Sequence, residues 1–236
     1  MLGALALAGS ALTHPAAEAA PMATAKSIEV EASWEMNEPA GATTMIDSGP
    51  NALNATVNPN GLDTGVAFDG ATGYAWAYRI PTAPPASPER VVEVPDNPNL
   101  DPRDDPFTVE IRYRTSYKFG NITQKGQSTT PGGQFKIQNP GGRPSCLFKG
   151  SLGQGAVRTP TPIDDNRWHV LRCVKTATAV EMWVDGLRVG RKNGAVGYID
   201  NNWEWTIGGK SRCDQIRVTC DYFSGEIDYV RVYRGS

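Results

Sequence analysis

The chain has 236 residues, with 23 Lys and Arg against 25 Asp and Glu and a formal charge of -2, so it lacks the basic excess that binding to a phosphate backbone requires. Its 25 Gly and 18 Pro amount to about 18% of the chain against roughly 12% on average, which leaves little room for long helices and predicts a loop-rich, β-rich protein. The length suits one large all-β domain, and nucleic acid is not an expected partner.

The first segment, MLGALALAGSALTHPAAEAAP, is small-residue and apolar and runs into an A-x-A pattern at Ala17-Glu18-Ala19, so residues 1–20 read as an export signal. No Lys or Arg precedes its apolar core. Beyond it no run approaches the about 18 apolar residues of a membrane helix, which predicts a secreted, soluble mature chain with one domain over residues 27–236. In SIEVEASW, Ile28, Val30 and Ala32 alternate with Glu29 and Glu31, the period of a half-buried strand. From Asn37 to Gly65 the Gly, Pro, Asn and Asp content predicts loop with one short strand, followed by strands at Gly65–Phe68 and Tyr74–Ile80. The Pro-rich stretch Pro81 to Arg90 reads as a long surface loop, since the chain before it has too few apolar positions for a domain of its own.

The second half alternates more cleanly. FTVEIRYRT places Phe107, Val109, Ile111 and Tyr113 on one face and Thr108, Glu110, Arg112 and Arg114 on the other, and GQFKIQ repeats the pattern. CLFKG, RWHVLRCVK, AVEMWVDG, LRVGRK, WTIGG and GEIDYVRVY add strands at short spacing, each bounded by turn residues, as in a β-sandwich. RWHVLRCVK is apolar on both faces, which predicts a central strand. The four cysteines form no C-x-x-C pair, so disulfides are expected rather than a metal site. Cys146 and Cys173 lie on strand-like segments that can face one another as antiparallel neighbours, and Cys213 and Cys220 bracket six residues as across a hairpin, so the expected bridges are Cys146–Cys173 and Cys213–Cys220.

Several pieces recurring in order carry a family resemblance: ASWEMNEPAGATTMIDSG, FTVEIRYRT with NITQKGQ and GGQFKIQ, WHVLRCVK with VEMWVDG, and WTIGGK with FSGEIDYVRVY. Over Ser27 to Tyr233 the chain resembles a bacterial laminin-G-like, concanavalin A-like jelly-roll domain. The resemblance implies an all-β fold of two antiparallel sheets and an extracellular setting. For function it implies only a range, from lectins and adhesion modules to glycanases and polysaccharide lyases.

Within that range, Glu226-Ile227-Asp228 resembles part of the E-x-D-x-x-E strand of β-glucanases on this fold, but the third acid is replaced by Arg231. Arg112, Arg114, Gln134, Lys136 and Gln138 resemble the strands of alginate lyases, with His169 the one histidine outside the signal segment; beside Trp168 it is expected to hold structure. The expected function is therefore a monomeric binding module for an extracellular glycan, the alternative being a polysaccharide lyase or glycoside hydrolase acting on the concave sheet. Candidate ligand contacts are Arg112, Arg114, Gln134, Lys136 and Trp203, the last in the polar loop YIDNNWEW, where an indole can stack on a sugar ring. A structural calcium ion is a further expectation. Asp47 and Asn51 in IDSGPN would supply oxygens near the terminal strand, and Asp228 would join them from an apolar row shared with Val230 and Val232, where a carboxylate needs a partner. Sequons stand at Asn54 and Asn121.

Overall fold

The computed structural model describes residues 27–38, 42–57, 62–66, 75–78, 91–210, 212 and 221–235. Its strands, numbered β1 to β16 along the chain, form two antiparallel sheets of eight strands each among the described residues. In spatial order the first sheet holds β14 (Leu187–Asn193), β13 (Ala179–Val184), β12 (His169–Lys175), β7 (Phe107–Arg114), β16 (Gly225–Arg234), β5 (Ala75–Tyr78) and β4 (Leu62–Val66), and β1 (Glu29–Trp34) also pairs with β16. The second holds β11 (Gly153–Arg158), β10 (Ser145–Gly150), β9 (Gln134–Gln138), β8 (Asn121–Lys125), β15 (Trp205–Ile207), β6 (Val92–Val94), β3 (Ala55–Val57) and β2 (Thr44–Met45). We refer to these as the β7 sheet and the β9 sheet.

Alternation along the strands decides which side chains meet. Phe107, Val109, Ile111 and Tyr113 of β7 are fully buried, as are Phe135 and Ile137 of β9, and the two apolar faces close on each other as the expected sandwich. Trp205 sits in the middle of this layer, 5.2 Å from Phe135 in a stacked pair and 6.3 Å from Trp34, so β1, β15 and β9 share one aromatic cluster. Burying each such ring stabilises the fold by about 2–3 kcal/mol. The strand β12 lies between β13 and β7, the central place its two apolar faces predict.

The disulfide Cys146–Cys173 is present, with Cα atoms 5.6 Å apart. It does not join neighbouring strands, as the sequence reading has it: β10 and β12 belong to different sheets, and the bridge crosses the core between them. Cys213 and Cys220 lie outside the described residues, as do the segments 1–20 and 81–90.

Two bulges correct the expected faces. In β1 the register shifts between Val30 and Ala32, so Ile28 and Val30 stay exposed while Glu31 is buried against Arg234. In β16 the register shifts between Ile227 and Tyr229, making Asp228 the extra residue. Ile227, Val230 and Val232 all enter the core, and Asp228 leaves the apolar row in which strict alternation puts it, to meet Arg112. Strands β6, β8 and β11 go unrecognised in the sequence because NITQK is polar and GQGAVR is glycine-rich. All five residues of β8 are nevertheless buried. Among the described residues no helix is long and apolar enough to cross a membrane.

Candidate ligand-binding site

The residues singled out as ligand contacts divide between opposite outer faces of the sandwich. Arg112 and Arg114 alternate with the core residues Ile111 and Tyr113 and so project from the β7 sheet. Gln134 and Lys136 flank the buried Phe135 and project from the β9 sheet. A single ligand cannot bridge them through the core, so the five expected contacts do not make one site.

On the β7 sheet, the arginines are committed to carboxylates. Arg112 Nη1 lies 2.5 Å from Asp228 Oδ2, Arg114 pairs with Glu226, Arg172 Nε is 3.2 Å from Glu110, and Arg231 makes a two-pronged pair with Glu35 at 2.7 and 2.8 Å. The guanidinium groups of Arg112 and Arg114 also stack on Trp168, at 4.8 and 4.9 Å from its ring centre. Glu226 and Asp228 thus act as counter-ions to arginine. His169 is held between Asp185 Oδ2, 2.7 Å from Nδ1, and Asp165 Oδ1, 3.1 Å from Nε2, a bridge between the loop before β12 and the β13–β14 turn. Among the described residues arginine–carboxylate pairs dominate this face, and His169, which shares its side of β12 with the core residues Leu171 and Cys173, meets neither those pairs nor Gln134, Lys136 and Gln138, which project from the far face of the β9 sheet.

The β9 sheet carries a groove of about 210 Å³, floored by Gln124, Gln134, Lys136, Gln138, Leu147 and Gln154. Period two along β8, β9, β10 and β11 aims these side chains to the same outer face. The hairpin residues Gln127 and Ser128 and the ammonium of Lys210, which lies 2.7 Å from Asp221 Oδ2, complete its walls. Gln134 is only 5% exposed, yet among the described residues its amide has no hydrogen-bond partner, and neither have those of Gln138 and Gln154. Gln124 accepts a bond from Asn121 Nδ2 at 3.1 Å. The amide atoms of Gln134 still touch solvent at the groove floor, so a ligand hydroxyl bonded there would replace water. Each amide both donates and accepts, the pattern that adjacent hydroxyls on a sugar answer.

Beyond the hairpin lies a second cavity of about 390 Å³, lined by Thr130, Pro131, Gly132, Asp200, Asn202 and Trp203. The guanidinium of Arg212 sits 4.4 Å from the Trp203 ring centre. Asp200 accepts from Tyr198 Oη at 2.8 Å, and that carboxylate raises the tyrosine pKa. The loop is anchored from below: Lys125, almost wholly buried, lies 2.7 Å from Asp101 and donates to the Asn201 carbonyl, while the Asn201 amide N–H donates to Asp101 Oδ1 at 3.2 Å. Gly132 has φ +84, and a Cβ there would overlap the Asp200 carbonyl oxygen, so glycine permits the close approach of hairpin and loop.

The carboxylates expected to take calcium have protein partners. Asp47 Oδ1 accepts from the backbone N–H groups of Ser33 and Gly49, both at 2.7 Å, and Oδ2 accepts from Leu53 N–H at 2.8 Å. Asn51 donates to the Glu31 carbonyl at 2.8 Å, and Asp228 is held by Arg112. As placed, this trio does not fit an oxygen cage for a cation, and among the described residues no three His, Cys, Asp or Glu are grouped to hold a metal. The Asn121 sequon is buried at 1% exposure, whereas Asn54 is at the surface.

Gln124, Gln154, Lys210 and Asp200 are site residues that sequence reasoning missed. Gln154 had one signal, its alternation with Gly155 and Val157 in β11; the others depend on neighbours far away in the chain.

A model of the concanavalin A-like lectin/glucanases superfamily matches residues 88–236. No curated protein matches the chain in sequence. Among solved structures, the mouse laminin alpha1 chain, domains LG4-5, is similar at a TM-score of 0.50 and 20% identity, over 62% of this chain and 40% of that one, so the chain spans well under two thirds of that relative. Domain 4 of AbnA, a GH43 extracellular arabinanase from Geobacillus stearothermophilus in complex with arabinotriose, is similar at a TM-score of 0.63 and 16% identity, over 89% of this chain and 94% of that one. The binding domain of Paraclostridial Mosquitocidal Protein 1 gives 0.60 and 12%, over 88% and 48%. At these identities the likeness is one of fold.

Proposed function

Because the chain belongs to the concanavalin A-like lectin/glucanases superfamily, we propose that it is a binding module for an extracellular glycan, held in the amide groove of the β9 sheet. The observation that carries this reading is Gln134, 95% removed from solvent and unpartnered among the described residues, in a groove with two further unpartnered amides. Amides that have no protein partner are left to water in the free protein and can be answered by a ligand rich in hydroxyls. A superposable domain of an arabinanase, solved with arabinotriose, supports the same ligand class. The Cys146–Cys173 bridge supports an oxidising, extracellular setting.

The test is a glycan array followed by titration calorimetry. The full chain should bind at least one oligosaccharide, and Gln134→Ala should weaken that binding about fivefold or more while leaving the melting temperature unchanged, since each lost hydrogen bond is worth about 1 kcal/mol. Absence of binding to every glycan on the array, or full affinity in Gln134→Ala, overturns the reading.

A further inference from the structure

We infer that the ligand is an extended neutral oligosaccharide that runs from the amide groove over the β8–β9 hairpin into the Trp203 cavity, an inference that rests on the glycan reading above. The groove is too small to be a whole site. At about 210 Å³ it falls below the roughly 300–1,000 Å³ of pockets that enclose a small ligand, whereas the cavity beyond the hairpin reaches about 390 Å³. One short stretch of chain walls both. Gln127 and Ser128 border the groove, and Thr130, Pro131 and Gly132 border the cavity. From Ser128 to Thr130 is two Cα steps, at most roughly 7.6 Å, a gap that one sugar unit can bridge.

The two walls are also tied together. Gln127 Nε2 donates to the Arg212 carbonyl at 2.8 Å, and the Arg212 side chain stacks on Trp203. Asp200 N–H donates to the Gly132 carbonyl at 2.9 Å, and Asn201 Nδ2 donates to the Gly133 carbonyl at 3.1 Å, so hairpin and loop hold their spacing before any ligand arrives.

The chemistry of the cavity selects the class of chain. Trp203 and Pro131 provide apolar surface for a sugar ring, the Asn202 amide is exposed and without a partner among the described residues, and the Asp200 carboxylate accepts from hydroxyls. That carboxylate, only loosely paired with Arg103 at 3.9 Å, disfavours a uronate or sialate placed against it. In the groove, the Lys210 charge is already matched by Asp221, and Lys136 likewise has an interaction partner. The combination favours a neutral chain with free hydroxyls.

The experiment titrates the full chain with two sets of oligosaccharides, neutral and uronate-containing, each running from disaccharide to hexasaccharide. Affinity for the neutral set should rise about tenfold or more with length, as the second contact becomes intramolecular. Trp203→Ala should remove that gain and leave disaccharide affinity unchanged, and Asn202→Ala, a truncation at the surface, should reduce the gain several-fold with no change in melting temperature. Gln134→Ala should weaken every length. Affinity that is flat with length, or a hexasaccharide affinity untouched by both cavity variants, overturns the inference while the groove reading stands. Tighter binding of the uronate set overturns the neutral class. Binding of no oligosaccharide at all overturns the groove reading, and this inference with it.

Discussion

Asp47 illustrates how one residue type in one loop admits two physical readings. In the sequence, an Asp followed by Ser-Gly-Pro-Asn is equally a turn former and a cation ligand; in the fold, its carboxylate gathers three backbone N–H groups and fastens β1 to the segment that precedes β3. Asp47→Ala leaves those donors buried without an acceptor and should lower unfolding free energy by about 3 kcal/mol, measured by denaturant titration. With its oxygens so engaged, the wild type should melt at the same temperature in excess calcium and in chelator. A rise of several degrees with calcium would show that the loop rearranges around the ion. Asp228 makes a parallel case: it is 2% exposed against Arg112, and Asp228→Asn should cost about 1.5–3 kcal/mol by weakening a charge-assisted bond to the guanidinium that stacks on Trp168.

At the scale of elements, β8 carries a lesson that composition hides. NITQK contains one strong apolar residue, yet Ile122 fills the core, Gln124 floors the groove, and Lys125 reaches Asp101, Asp96 and the Asn201 carbonyl to hold the Trp203 loop. Lys125→Met removes the cation and leaves Asp101 buried and unpaired, so it should destabilise the fold by about 3–5 kcal/mol; in the folded fraction it should also weaken long oligosaccharides more than short ones. The bridge between β10 and β12 constrains a loop of 27 residues, and the double change of Cys146 and Cys173 to Ser should cost about 3.5 kcal/mol by chain entropy, read as a lower melting temperature under non-reducing conditions. The alternation of β7, β9, β12 and β16 was legible because long strands with one buried face repeat every second residue. The bulges in β1 and β16 were not, because an extra residue is set by its partner strand, which alternation within one strand does not record.

For the whole molecule, the acid limb of stability depends on carboxylates placed in opposite circumstances. Glu35 is held below its ordinary value of 4.5, first by the hydrogen bonds from Arg231 and against the effect of burial. The unfolded chain therefore binds that proton more readily, so the stabilisation is complete above about pH 4.5 and is lost as pH falls through the folded value. Glu35→Gln should flatten the decline of stability below that pH by about 1 kcal/mol after solvent screening. Asp101 and Glu93 act in the opposite sense. Burial raises both, so the folded state keeps their protons longer, and stability falls as pH rises through their folded values. Chemical denaturation across the acid range, with Glu35→Gln beside the wild type, measures the balance.

By itself the sequence determined the all-β sandwich, the central β12 and a charge balance unsuited to nucleic acid, because strand period, turn residues and composition are local properties; it paired Cys146 with Cys173, but only the tertiary structure showed that the bridge spans the two sheets. Only the tertiary structure decided that Arg112 and Arg114 stand back to back with Gln134 and Lys136, since which outer face a strand presents depends on the sheet it joins. Only it turned Asp228 from an apolar row towards Arg112, and only it set Gln124 and Gln154 beside Gln134 and left Gln134 without a partner. The groove is a property of four neighbouring strands, and its amides converge because period two on each of them points the same way once the sheet has assembled.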